Sequence, residues 1–395
     1  MGSFWVGACS AFAAAIDLSN GLILGNEVFT MAIKENKVIG ILTFLHTLNY
    51  GALLQSYALQ AFLNSNGFSA IQIDYRNANV ESYEFKRSKT VKNRLANIVR
   101  RPIIKKKTIE FEEFTRRFIK ATPVVERGEL AGICSDFDCI VVGSDQVWNG
   151  EITDYDTTYF LDFIPDDDKK YSYAVSIGQD DFPEKKGIDY YSLLHAFSQV
   201  LVREQTAAKA LGNFVEADKL HVVLDPTLLV EAEVWNSFVG ESASPMSRPY
   251  VFVYAVGETK RAVEAAREMA REHGWDLVVL QQDKFLPILG AKNLFSISPA
   301  DFLTYFKHAS AIVTSSFHGL CMSIQFRKDF LVSYTEGIAC RNSRISDLLL
   351  ALECEDRVIG SPSCDCVNWE LVEQRLTEKR IQSSELLLNA LSQGV

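Results

Sequence analysis

The sequence predicts an α/β protein built from two doubly wound, Rossmann-like domains that face each other across a cleft. Three observations carry this expectation. Short β-rich apolar runs alternate with stretches of helical periodicity in both halves of the chain, the pattern that gives parallel sheets covered by helices. The alternation breaks once, at Gly240 to Pro249 (GESASPMSRP), and then restarts, so the 395 residues divide into two parts of ordinary domain size. Polar loops at 46–51, 143–149, 176–178 and 314–319 each follow a predicted strand. They should therefore gather at the carboxyl ends of the sheets, where such folds bind their ligands.

Composition narrows the partners. A formal net charge of -10 argues against general nucleic-acid binding and leaves small molecules as the expected ligands. The cysteines at 9, 134, 139, 321, 340, 354, 364 and 366 lie mostly in apolar segments without CxxC spacing and read as reduced core thiols. Cys364 and Cys366 alone are too few for a metal site, so none is expected. Residues 1–30 are apolar and Ala-rich, but no Lys or Arg precedes Lys34, so the basic region of a secretory signal is missing. Phe4 to Ile16 is too short to span a bilayer, and Met31 opens a run leading straight into a strand. The expectation is an extension over 1–30 outside the fold, and a cytoplasmic protein.

The first α/β domain is expected over 31–240. Val38 to Leu45 is a strand, Ala52 to Leu63 a helix stopped by Gly67, and Ala70 to Tyr75 the next strand, which together make a right-handed βαβ unit. Residues 86–107 then carry ten Lys and Arg without one Asp or Glu. This basic insertion reads either as a solvated excursion or as a face for anionic lipid at the inner side of a membrane or for a phosphorylated acceptor. Asp138 to Val142 is a strand running into GSDQVWN, whose polar residues serve either a ligand or a network of turn and capping bonds, with Trp148 as core. Lys170 to Ile177 and Ala196 to Val202 are further strands. The latter places Arg203 at the lip of the sheet, as a clamp for a carboxylate or phosphate or as a structural partner of Glu204. His221 to Leu224 closes this half, with Asp225, Pro226 and Thr227 as a turn.

The second domain is expected over 249–352 and a helical tail over 353–395. Tyr250 to Ala255 and Asp276 to Leu280 are strands around the helix Lys260 to His273, and Ser298 caps a helix with Pro299 at its first position. AIVTSSFHGLCMSI, Ala311 to Ile324, carries most chemistry. A strand Ala311 to Thr314 turning into a helix from Phe317 would leave Thr314, Ser315 and Ser316 beside outward-pointing amides, which suit an anion. His318 falls in that first helical turn, beside whatever anion binds, as a proton-exchanging group or as a buried structural histidine. The positive helix end disfavours imidazolium, so an anion is needed to recharge it. Phe330 to Ser333 is the next strand, and Asn342 to Leu352 a helix with Arg344 in its first turn.

Taken in order, NYGALLQSYAL, FDCIVVGSDQVWN, YAVSIG, VLVRE, LDPTLL, AIVTSSFHGLCMSI and NSRISDLL resemble the polysaccharide pyruvyl transferase family over about Val38 to Leu352. The resemblance implies a GT-B-like fold and transfer of the enolpyruvyl group of phosphoenolpyruvate to a sugar or lipid-linked oligosaccharide, giving a pyruvate ketal and phosphate. It implies no cofactor beyond that co-substrate. By motif, His318 is then the proton donor, or the base for the acceptor. Arg203 and Arg344, with Ser315, Ser316 and nearby amides, hold the donor. Asn49, Ser144, Asp145, Gln146 and Asn149 line the acceptor side. Some branches of the family carry Arg at the place of Ser316, and close relatives often carry Asp at that of Ser315, so here donor neutralisation rests on Arg203, Arg344 and backbone amides. Two other readings stand beside this one: a GT-B glycosyltransferase using a nucleotide sugar, and a catalytically silent glycan-binding protein.

Overall fold

The computed structural model describes residues 23–24, 27–28, 37–86, 91–257, 259–281, 287–334, 342–362 and 366–393. The expected extension over 1–30 lies outside these residues, apart from Ile23–Leu24, which pairs antiparallel with Glu27–Val28. Cys9, Cys340, Cys364, Arg87 and Lys89 also lie outside them. Residues 37–395 form one compact unit holding two parallel sheets.

The first sheet contains β1 (Val38–Leu42), β2 (Ser69–Gln72), β3 (Cys139–Val142), β4 (Lys170–Val175), β5 (Gln199–Val202) and β6 (Leu220–Val222), in the spatial order 2-1-3-4-5-6. The second contains β7 (Tyr250–Ala255), β8 (Asp276–Gln281), β9 (Lys292–Leu294), β10 (Ala311–Thr314) and β11 (Asp329–Val332), in the order 9-8-7-10-11. Every pair in both sheets is parallel. All six residues of β7 and all four of β10 are buried, as strands covered by helices on both faces must be. The helices that position the site are α1 (Tyr50–Ser65), α2 (Val91–Phe118), α3 (Gln205–Leu211), α4 (Lys260–His273), α5 (Pro299–His308), α6 (Phe317–Gln325), α7 (Ser343–Ala351) and α8 (Trp369–Gln393).

Most of the basic insertion belongs to the 28-residue helix α2. Its inner face is set by Lys107, Phe111 and Phe114, buried at helical spacing. The Lys107 ammonium lies over the rings of Tyr50 and Phe111, at 4.7 and 5.3 Å from their centroids. Burial of that lysine is offset by the aromatic faces. Arg101, Lys105 and Lys106 lie on the exposed side.

The lobes are in direct contact. Tyr50, the first residue of α1, stacks on Phe302 of α5 with centroids 4.5 Å apart and donates its hydroxyl proton to the Ile297 carbonyl at 2.8 Å. Glu110 of α2 accepts from Ser296 Oγ at 2.9 Å. The expected tail is a strap: α8 returns to the first lobe, where Ser383 Oγ accepts from Leu224 N at 2.9 Å and Arg380 Nε donates to the Leu228 carbonyl at 2.7 Å. Lys37 donates to the carbonyl of Leu391, near the end of the same helix, at 2.8 Å.

Candidate active site

The turn from β10 into α6 is built by its hydroxyls. Thr314 Oγ1 donates to the Tyr254 carbonyl at 2.6 Å and accepts from Ser316 N at 3.0 Å. Ser315 Oγ accepts from Val256 N and lies 3.2 Å from the Val256 carbonyl. Ser316 is the N-cap, its Oγ accepting from Gly319 N at 3.4 Å. A Cβ at Gly319 would lie 2.1 Å from Thr314 Oγ1, so only glycine lets the helix leave the strand this tightly. Both serines of the predicted donor site thus hold the turn through their hydroxyls. What they leave for an anion is the pair of first-turn amides, Phe317 and His318, which an intrahelical bond does not reach.

His318 projects from this turn into the first lobe. It is 6% exposed. A Cβ on Gly51 would sit 2.0 Å from its Nδ1, so the ring rests against the bare backbone at the start of α1. That helix is capped by Asn49, whose Oδ1 accepts from Gly51 N at 2.9 Å and Ala52 N at 3.3 Å. Two helix N-termini, one from each lobe, therefore meet at the imidazole, and both favour negative charge there. The other ring nitrogen, Nε2, is buried without a hydrogen bond and lies 3.6 Å from Asp225 Oδ2.

Asp225 is the hub that sequence reasoning missed. Its Oδ1 accepts from Thr227 N at 2.9 Å and Thr227 Oγ1 at 2.7 Å. Its Oδ2 meets Arg203 Nη1 at 2.8 Å and Ser144 Oγ at 3.1 Å. Burial alone would push this carboxyl up, but the charges of His318 and Arg203 outweigh it and hold Asp225 well below the usual carboxylate range. The signal available in the sequence was only the Asp-Pro-Thr turn. The contact that matters comes from a residue 93 positions later, at His318.

Arg203 occupies the site but not as an open clamp. Its side chain is 1% exposed, with Nη2 3.5 Å from Asp145 Oδ1 and Nε 3.7 Å from Glu204 Oε2. Its guanidinium lies 4.5 Å from the centroid of the Phe317 ring. Burial opposes its charge, yet the three carboxylates raise its pKa above the ordinary arginine value. Glu204 accepts from Ser176 Oγ at 2.6 Å through Oε1, while Oε2 is buried without a hydrogen bond. Burial pushes its carboxyl up, against the opposing charges of Arg203 and Arg344. Arg344, half-buried in the first turn of α7, thus enters the same neighbourhood from the second lobe. That helix is docked by Thr206 N, at the start of α3, which lies 3.3 Å from Asp347 Oδ2.

The predicted acceptor residues lie mostly in the framework around this cluster. Ser144 is buried, donating from Oγ near the Ala174 carbonyl and from its amide to Gln55 Oε1 of α1 at 3.0 Å. Asp145 holds a left-handed φ of 73° and accepts from Ser176 N at 2.9 Å through its carbonyl. Gln146 Oε1 accepts from Asn149 Nδ2 at 3.1 Å, and Asn149 caps the next short helix by accepting from Glu151 N at 3.0 Å. Of these, Gln146 and Asn49 keep partial exposure. Trp148 is core, stacked on Phe160 and donating to the Tyr159 carbonyl at 2.8 Å.

Against known proteins, the family model described as polysaccharide pyruvyl transferase matches residues 49–336, most of the chain. The chain belongs to the polysaccharide pyruvyl transferase family. The matched span starts at the cap of α1 and runs past His318, so it contains every residue of the cluster except Arg344. No protein with a curated description matches the chain. Among solved structures it is similar to UDP-N-acetylglucosamine 2-epimerase from Rickettsia bellii, at 9% identity over 91% of this chain and 96% of that one with a TM-score of 0.49. It is also similar to UDP-GlcNAc 2-epimerase from Neisseria meningitidis bound to UDP-GlcNAc, at 10% identity over 90% and 99% with a TM-score of 0.49. A third is Arabidopsis thaliana UGT89C1 complexed with UDP-L-rhamnose, at 9% identity over 90% and 93% with a TM-score of 0.46. The two-lobed architecture of this polysaccharide pyruvyl transferase family member stands on its own strand orders rather than on these alignments. It is a transferase, and its acceptor is a sugar.

Proposed function

We propose that the protein moves the enolpyruvyl group of phosphoenolpyruvate onto a sugar of a polysaccharide or its lipid-linked precursor, forming a pyruvate ketal and releasing phosphate. The observation that carries this reading is the imidazole of His318 at the meeting point of two helix N-termini, with Asp225 on one side, in a cluster whose Glu204 feels the charge of Arg344. A small trianion needs positive ends and a guanidinium; its methylene needs a proton donor. The donor enters as the lobes part. It binds on the amides of Phe317 and His318 and on Arg344, while Arg203 acts through Asp225 and the face of Phe317. His318 protonates the methylene, and positive character develops at the central carbon, where a sugar hydroxyl attacks. Asn49 and Gln146 border the acceptor from the first lobe.

The test is phosphate release from phosphoenolpyruvate with a panel of methyl hexopyranosides bearing adjacent or 1,3-related hydroxyls. Release that depends on the glycoside is expected. A protein that neither binds phosphoenolpyruvate nor releases phosphate from it contradicts the reading.

Among the described residues no helix is long and apolar enough to cross a membrane. We propose that the exposed face of α2 rests on anionic lipid at the inner side of a membrane, with Arg101, Lys105 and Lys106 flanking Ile109, which is 52% exposed. Lys107 belongs to the lobe contact and is left in place. Each surface cation contributes about 1 kcal/mol near an anionic bilayer, so changing the other three to glutamine should weaken association roughly a hundredfold. Sedimentation with phosphatidylserine vesicles measures this, and unchanged binding removes the proposal.

A further inference from the structure

The loop between β1 and α1 carries a second titratable pair that the scheme above leaves without a role. His46 Nε2 contacts Asp74 Oδ1. Both residues lie just past the carboxyl ends of neighbouring parallel strands, β1 and β2, on the edge of the sheet where ligands bind. Their side chains are 24% and 16% exposed, so the pair sits at a rim, neither sealed in core nor fully solvated. Asp74 is itself fixed by its amide, which donates to Thr122 Oγ1 at 3.0 Å. The charged neighbours are Arg76, held by Glu81 at 2.6 and 2.7 Å, and Glu112 of α2. Three residues beyond His46 the same loop becomes the Asn49 cap, and five residues beyond it is Gly51, which touches His318.

An imidazole that donates one ring N–H to a carboxylate presents its other nitrogen as a lone pair in a fixed orientation, which is the geometry of a general base. The transfer needs one. When the hydroxyl attacks as the methylene is protonated, His318 is giving up its proton while the hydroxyl must lose its own, so a separate base serves the oxygen; Asp145 and Asp225 are engaged with Arg203, and the open Oε2 of Glu204 is buried beside the same guanidinium. We propose that His46, oriented by Asp74, is the base that takes the proton of the attacking sugar hydroxyl at Nδ1. This rests on the pyruvyl transfer proposed above.

The donor's C2=C3 pair takes the proton of His318 at C3, making the methyl group. The hydroxyl oxygen forms its bond to C2 as its proton passes to His46. The C2–O bond to phosphate then breaks with its electron pair going to phosphate, the second hydroxyl attacks C2, and its proton leaves with the phosphate. His46 returns its proton to solvent and His318 regains one.

The experiment compares wild type with His46→Ala, His46→Gln and Asp74→Asn, using phosphoenolpyruvate and the methyl hexopyranoside that wild type uses best. His46→Ala should lower kcat roughly a hundred to ten-thousandfold. Asp74→Asn should lower it at least about tenfold, with a changed pH profile, since the ring then loses the partner that fixes its tautomer. Phosphoenolpyruvate affinity by calorimetry and the unfolding midpoint should match wild type in all three, and added imidazole should restore part of the rate to His46→Ala. Turnover within threefold of wild type in both His46 variants overturns the assignment and leaves the pyruvyl transfer intact. Weakened donor binding or a lowered unfolding midpoint in both also overturns it, in favour of a role in tying the strand ends. If wild type itself releases no phosphate, both readings fall together.

Discussion

Replacing His318 with alanine should lower kcat at least about a hundredfold while phosphoenolpyruvate binds within about tenfold of wild type. The split follows from the geometry. In the proposed reaction the donor's negative charge is met by the first amides of α6 and by Arg344, which the substitution leaves in place, whereas the proton for the methylene is needed only as the transition state forms. Because the ring is 6% exposed and rests on Gly51, removing it also opens space between the lobes. His318→Gln, which fills more of that space without a titratable group, should therefore lose turnover to a similar degree. Calorimetry with phosphoenolpyruvate and steady-state phosphate release separate the two quantities, and full activity in either variant removes His318 from the chemistry.

Asp225→Asn should produce the largest change in stability. The carboxylate is fully buried and receives Arg203, Ser144, the two groups of Thr227 and, across the lobes, His318. An amide cannot accept on both sides, and it leaves the buried guanidinium short of a partner, which typically costs about 3–5 kcal/mol. The pH dependence has a definite sign. A carboxyl held below its unfolded value contributes stability above about pH 4, the contribution shrinking as pH falls toward its folded value. Urea unfolding should therefore show the gap between wild type and Asp225→Asn at neutral pH and its narrowing below about pH 4. Glu204 has the opposite sign. Its raised pKa makes its contribution present below the usual glutamate range and lost as pH rises through the folded value. A gap constant from pH 7 to pH 3 would contradict the account of Asp225.

Much of this was legible because it is local. The strand Ala311–Thr314 and the helix from Phe317 lie where the small hydroxyls and the apolar run put them, and the break at 240–249 separates the two sheets. Ser298 does cap its helix, with Asp301 completing the box. Less legible was α2, whose charges and interior Pro102 hide an inner face of Lys107, Phe111 and Phe114. A lysine on a ring face reads as surface until the ring is known to be there.

Around His318 the polar residues were legible as such, but not what their side chains bond. Ser315, Ser316, Asn49 and Asn149 were visible as polar residues after strands; the side chains of Ser316, Asn49 and Asn149 accept from the backbone of the turns they stand in, and that of Ser315 from Val256 N past the neighbouring strand. Arg203 was visible as a cation at the lip of a sheet, but its three carboxylates come from β3, β5 and β6 and the loops after them, a convergence that only the sheet order creates. Asp225 is the extreme case, since its partner His318 belongs to the other lobe.

The claim at the centre is that His318 delivers a proton to the methylene of phosphoenolpyruvate in the crevice between the lobes. Running the reaction in deuterium oxide and weighing the product tests it most directly. The account predicts a ketal whose methyl group carries one deuterium, formed by wild type and lost in His318→Ala. A product that keeps its methylene, or phosphoenolpyruvate returned unchanged while a UDP-sugar is consumed, would contradict it.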